Sequence, residues 1–293
     1  MSLTIADLLP GGRWEDLISP LEDEKIREVE EQYLQKEKDD RIIVKLEGKR
    51  DVRLFKKFGD KEKHRYQKIG RGKGKSQVIN HVIKFTDDLG IVDMDHDFRG
   101  AEIGLYSIPP SAFSNRIADS RGSCCLFDLA IGGEILNAAT MVIRRLYDDN
   151  RRSREIVWKL REKGNDFTSL VRELTAARLF KGHSSNSEPS TEPKFTWSEI
   201  GNLEHCTSHI ISEGSADDFS NFKEEYTNEL DKAGFNDHAF SDALKSLLRE
   251  GFDEDEMPAD GTLAHEITQA MLRLGKRGNI EPILTKLGNY DSP

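Results

Sequence analysis

Cysteine is nearly absent: the 293 residues hold three, two of them adjacent at Cys124 and Cys125, and no C-x-x-C occurs. That excludes a disulfide framework and fits a reducing compartment. Long hydrophobic runs are missing too, since none approaches the roughly 20 residues that a spanning helix requires. The opening MSLTIADLLPGGRWEDL has neither a basic n-region nor an uninterrupted apolar stretch, so a secretory signal is not expected. A cytoplasmic protein without membrane contact is the expectation. Aromatic residues make up 8% and form no stripe resembling a base-stacking platform. Two motifs fall short as well. G-R-G-K-G-K-S, residues 70–76, ends like a Walker A loop, but the glycine required five places before Gly74 is Ile69. His265-Glu266 is followed by Gln269 where a zincin needs histidine. His205 and His209 stand at i,i+4 beside Cys206 with no complementary pair in the sequence, which favours an ordinary helix surface over zinc.

Charge is abundant, at 33% of residues with a formal net of -10, and it is unevenly spread. Residues 45–84 hold 14 Lys and Arg against four acids, a local +10, while residues 186–293 hold 9 Lys and Arg against 22 acids, a local -13. A basic segment inside an acidic chain fits a polyanion-binding face beside an acidic region, with solvated helix faces as the alternative.

The chain reads as five stretches. Residues 1–40 form an N-terminal helical extension, with an amphipathic helix over 19–37. Residues 41–135 alternate strand and helix: strand 41–46, helix from Val52 to Phe58, strand 64–69, helix 76–85, and the short apolar strand L-G-I-V at 89–92. Residues 103–108 and 124–127 are candidate later strands. This βαβαβ order predicts a parallel sheet and an α/β fold. Residues 136–181 continue as helices, 182–195 form a Ser/Pro/Glu linker or long loop, and 196–293 form an acidic helical region with helices expected over 197–212, 219–233, 239–249 and 263–274.

Two acidic clusters stand where strands end, the place at which open parallel sheets collect ligands and catalytic groups. The first strand runs into Glu47, Gly48 and Asp51, with Asp51 expected to cap the following helix; the third runs into Asp93-Met94-Asp95-His96-Asp97. In extended backbone, Asp93 and Asp95 point to one side and converge on one cation. Carboxylates gathered in this way repel one another unless a divalent cation neutralises them, and oxygen-only donors select Mg²⁺ or Mn²⁺. Mg²⁺ accepts substrate phosphates as further ligands, so the chemistry indicated is work on phosphodiesters. The glycine-rich turn with Arg71, Lys73 and Lys75 is a candidate phosphate contact at the same edge.

The order strand, E-G-x-x-D, helix, strand, helix, strand, D-x-D resembles the Toprim domain of topoisomerases, bacterial-type primases, ribosomal-RNA maturases and the overcoming-lysogenization-defect nucleases. The stretches V-K-L-E-G-K-R-D-V-R-L-F-K-K-F and L-G-I-V-D-M-D-H-D-F are most similar to a domain-of-unknown-function branch of prokaryotic Toprim-like proteins. That branch carries a helical C-terminal region and includes the nuclease subunit of the PARIS phage-defence pair. The resemblance covers residues 41–134 well and the rest in outline. It implies a Toprim-like parallel sheet and a Mg²⁺- or Mn²⁺-dependent nuclease acting on DNA or RNA, tRNA included. It also implies an ABC-type ATPase as partner, and self-association is a further expectation. Residue by residue, it implies Glu47 as metal ligand or general acid/base, Asp51 as the second acidic position, Asp93 and Asp95 as metal ligands and Asp97 as their extension. A further cluster near Asp119, Ser120, Arg121 and Glu134 is interrupted here by G-S-C-C-L-F-D-L-A-I-G-G. A Toprim-like module that binds nucleic acid or an ATPase without cutting is the competing expectation.

Overall fold

The β-branched run I-I-V-K-L folds as strand β1 (Ile42–Leu46), and Gly48, in extended backbone, lets the chain turn into helix α1 (Lys49–Phe58). The computed structural model describes residues 39–70, 74–85, 87–94, 116–120, 123–183 and 194–290. The helix expected over 19–37 and the strand expected over 103–108 fall outside them. Next come β2 (His64–Lys68), α2 (Lys75–Lys84), β3 (Leu89–Val92) and the three-residue β4 (Ile117–Asp119). All pairings are parallel and the strand order is β2-β1-β3-β4. The protein is thus α/β, with a four-stranded parallel sheet.

Both faces of a parallel sheet must be covered, and β3 is buried at every residue. On one face α2 packs through Val78 and Val82, so closely that a Cβ on Gly90 would stand 2.8 Å from Val78. Only glycine permits that approach. On the other face Val44, Leu46, Leu89 and Ile91 meet Leu54 and Phe55 of α1 and the helices that follow, in one continuous apolar cluster.

Those helices are α3 (Leu126–Ile131), α4 (Ile135–Leu146), α5 (Arg151–Glu162), α6 (Gly164–His183), α7 (Leu203–Ser208), α8 (Ala216–Glu225), α9 (Thr227–Ala233), α10 (Asp237–Leu248), α11 (Asp260–Leu274) and α12 (Arg277–Gly288). The acidic C-terminal helices are not a separate bundle: Phe235 and Phe240 stack edge-on to Phe127 of α3, each at 5.5 Å. Lys276 N–H and Asn279 Nδ2 donate to the Ala130 carbonyl at 3.1 and 2.9 Å. Residues Ile42–Pro293 form one compact unit.

Four expectations change. The apolar run at 124–127 is not a strand: Cys124 and Cys125 lead into α3, whose end is set by Gly132 at φ +63°. Residues 197–212 fold as a turn and the six-residue α7 rather than one helix, and 219–233 divide into α8 and α9 at Tyr226. Asp51 is the third residue of α1, while its cap is Gly48. Helix α12 was not expected.

Candidate functional site

β1 and β3 are neighbours, so the residues following them emerge side by side at the carboxyl edge of the sheet. Glu47 Oε1 accepts a hydrogen bond from the Asp93 backbone N–H at 2.9 Å, which ties the two acidic turns together. Asp93 Oδ1 accepts from Leu126 N–H at 2.7 Å, so this carboxylate also caps the first turn of α3. One residue on, Met94 N–H donates to Ser120 Oγ at 2.8 Å and Ser120 Oγ donates to the Ser123 carbonyl at 3.0 Å, joining the end of β3 to the chain beyond β4. Lys75, the first residue of α2, reaches the same edge and donates through Nζ to the Met94 carbonyl at 2.7 Å. The structure therefore brings Glu47, Asp93, Lys75 and Ser120 into one neighbourhood. Asp95, Asp97, Arg71 and Lys73 lie outside the described residues.

Asp51 is buried and works locally: its Oδ2 accepts from Gly48 N–H at 2.9 Å, closing a reciprocal cap around the start of α1. The bond holds the backbone of the glycine that follows Glu47. Arg50, next to it, bonds Asp237 of α10 at 2.6 Å and lies over the Phe127 ring at 5.8 Å. Burial alone would push the Asp237 carboxyl up, but the Arg50 guanidinium, His238 and a backbone N–H together outweigh it and hold the group below the usual carboxylate range.

Behind the site, residues 233–237 grip the segment that Asp93 caps. The Cys124 N–H donates to the Ala233 carbonyl at 2.6 Å and the Cys125 thiol to the Phe235 carbonyl at 3.4 Å. Asp128, buried beneath, accepts from Ser123 Oγ at 2.5 Å and from Phe235 N–H at 3.4 Å. Desolvation raises its pKa despite these donors. The Cys125 thiol is pushed well up by burial, as suits a core thiol rather than a nucleophile.

The remaining candidates have other employment. Glu134 pairs with Lys276 at 2.8 Å and accepts from Asn137 at 2.9 Å at the start of α4. Asp119 closes β4, and Arg121 lies outside the described residues. His205 and His209 approach through their Nε2 atoms at 3.3 Å and His205 meets Glu199 at 3.0 Å, yet no group of three His, Cys, Asp or Glu side chains able to hold a metal occurs among the described residues. Glu266 pairs with Arg145. Nor is any helix among the described residues long and apolar enough to cross a membrane.

Of the expected further cluster, Ser120 is the member that reaches this edge. The N-terminus of α3, which donates to Asp93, is the part that sequence reasoning missed, because the apolar run before it carries no period. Comparison with protein-family models, curated proteins and solved structures gives no match.

Proposed function

We propose that this protein is a Toprim-like, Mg²⁺- or Mn²⁺-dependent nuclease that hydrolyses phosphodiesters of DNA or RNA. The observation that carries the reading is the pairing of Glu47 and Asp93 just past the carboxyl ends of adjacent parallel strands, tied by the 2.9 Å bond from Asp93 N–H to Glu47 Oε1. The donor set fits the cation: both side chains are oxygen ligands, and Mg²⁺ is commonly held by one or two carboxylates together with water and substrate phosphates. Glu47 and Asp93 would hold the metal, with Asp95 and Asp97, which follow in the sequence, as further ligands. When bound, the cation neutralises phosphate charge and lowers the pKa of its water toward neutrality.

The chain's own residues divide the remaining work. Lys75, bonded to the Met94 carbonyl at the start of α2, attracts a phosphate together with Arg71 and Lys73, which precede it in the sequence. Glu47 takes a proton from the attacking water or holds it in line. Asp51 holds the backbone of Gly48, next to Glu47, which makes it a positioning residue here. A nucleic-acid substrate and, as partner, an ABC-type ATPase follow from the Toprim-like reading.

One observation favours the non-catalytic alternative, a Toprim-like module that binds nucleic acid or an ATPase: Asp51 and Asp93 both spend carboxylate oxygens on capping helices. Incubating the purified protein with plasmid, single-stranded DNA and total tRNA, each with Mg²⁺, Mn²⁺ or EDTA, separates the two. Cleavage that needs the metal and is lost in Glu47→Gln supports the nuclease, whereas metal-independent binding with no cleavage of any substrate supports the module.

A further inference from the structure

Trp158 is 63% exposed, although the other large apolar side chains of the described residues, Met94 apart, are at least partly covered. It sits at the middle of α5, opposite the face that buries Ile156, Val157 and Leu160. At 3.6 residues per turn, Arg154 and Arg161 run along one flank of Trp158 and Glu155 and Glu162 along the other. The indole thus stands between a column of two arginines and a column of two glutamates. An open hollow of about 550 Å³ accompanies this face, lined by Arg151, Arg154, Glu155, Trp158, Lys159 and Glu162. Among the described residues Arg161 and Glu162 make no ion pair, and the Arg151–Glu155 pair at 3.0 Å is highly exposed.

The lining carries Arg151, Arg154 and Lys159 against Glu155 and Glu162, so a polyanion would find only a small surplus of positive charge and two carboxylates beside the tryptophan, whereas flanks of opposite sign are complementary to themselves. A second copy of the same helix fits instead. A two-fold axis parallel to α5 exchanges left and right flanks without changing height, so each arginine column faces the partner's glutamate column. An antiparallel pairing would set arginine against arginine. We propose that α5 is the interface of a parallel, two-fold symmetric homodimer, in which Trp158 packs against the partner's Trp158 and the two charge columns fix the register. Such an interface is isologous, with an aromatic anchor inside a polar rim. The anchor supplies affinity, and the rim ion pairs, exposed to water, supply orientation. The proposal is independent of the catalytic reading, because α5 carries none of the site residues.

Sedimentation of the full-length chain over a wide concentration range tests it. The wild type should reach twice the 33.3 kDa chain mass, and Trp158→Ala should weaken the dimer by about 30-fold or more, the effect of losing an anchor residue. The charge columns allow a sharper test. The doubly substituted chains Arg154→Glu/Arg161→Glu and Glu155→Arg/Glu162→Arg should each stay monomeric, and an equal mixture of them should dimerise. All these positions face solvent, so unchanged far-ultraviolet circular dichroism verifies the folds. A wild type that remains monomeric throughout, a dimer indifferent to Trp158→Ala, or a mixture that fails to associate would overturn the proposal. Nucleic-acid binding lost in Trp158→Ala without any change of mass would overturn it too, in favour of a base-stacking platform.

Discussion

Asp93 serves two purposes through one carboxylate: it caps α3 by accepting the Leu126 N–H, and in the proposed reaction it holds metal. The choice of substitution therefore decides what an experiment reports. Asp93→Ala leaves the Leu126 N–H without its acceptor and should cost about 1–2 kcal/mol of stability together with activity. Asp93→Asn keeps an amide oxygen in the same place, so it should retain most of that stability while losing cleavage. Thermal melts of the two variants side by side check this, and equal melting temperatures would show that the cap contributes nothing. Asp51→Ala opens the reciprocal cap at Gly48 and should cost about 1 kcal/mol, with cleavage reduced through misplacement of Glu47 rather than abolished. Glu47 and Asp93 were legible in the sequence because an acidic residue directly after an apolar strand has only the sheet edge to occupy. The role of Asp51 was legible in kind but not in position: the turn residue Gly48 starts the helix three residues earlier than the apolar spacing of Val52, Leu54 and Phe55 implies.

Among the elements, the connection from α9 to α10 has the greatest leverage on the site. Gly234 adopts φ +68°, and a Cβ there would fall 1.8 Å from Asp128 Oδ2. Gly234→Ala should therefore destabilise the protein by about 2–3 kcal/mol, through strain and overpacking together. The Arg50–Asp237 pair joins α1 to α10 across the same region; removing the cation in Arg50→Ala leaves a half-buried carboxylate unpaired and should cost about 2 kcal/mol. Asp237 and the buried Asp128 give opposite pH signatures. Asp237 has a depressed folded pKa, so its stabilisation is present above the unfolded carboxylate value of about 4 and is lost as pH falls through the folded value. Asp128 has a raised folded pKa, so its contribution is full below about 4 and is lost as pH rises through the folded value. Asp128→Asn should flatten that second limb of a stability–pH profile, and an unchanged profile would contradict the assignment. The βαβαβ order was legible because apolar strands and amphipathic helices differ in period. α3 was misread because C-C-L-F is apolar at every position and has no period at all. α12 was missed because Pro282 lies inside it, where the sequence suggests a stop.

For the whole molecule, the net charge of -10 conceals a division in which the basic segment supplies β1 to α2 and the acidic segment supplies the helices packed behind them. Sheet and acidic helices share one apolar cluster, so residues 42–293 should unfold in a single cooperative transition, and a chain ending near residue 181 should not fold. Two separated calorimetric transitions would contradict this. The composition disclosed the acidic helical character, but not the shared core, because contacts such as Phe127–Phe235 join residues far apart in the chain. If Lys75 contacts phosphate, Lys75→Ala should reduce the slope of log affinity against log salt by about one. The most direct test of the central claim is nucleic-acid cleavage by the wild type, Glu47→Gln and Asp93→Asn in Mg²⁺, Mn²⁺ and EDTA, with the melting temperature of each protein recorded. The proposal predicts cleavage by the wild type only, dependent on the added cation, with all three proteins folded. Full cleavage by either folded variant, or undiminished wild-type cleavage in EDTA, would contradict it.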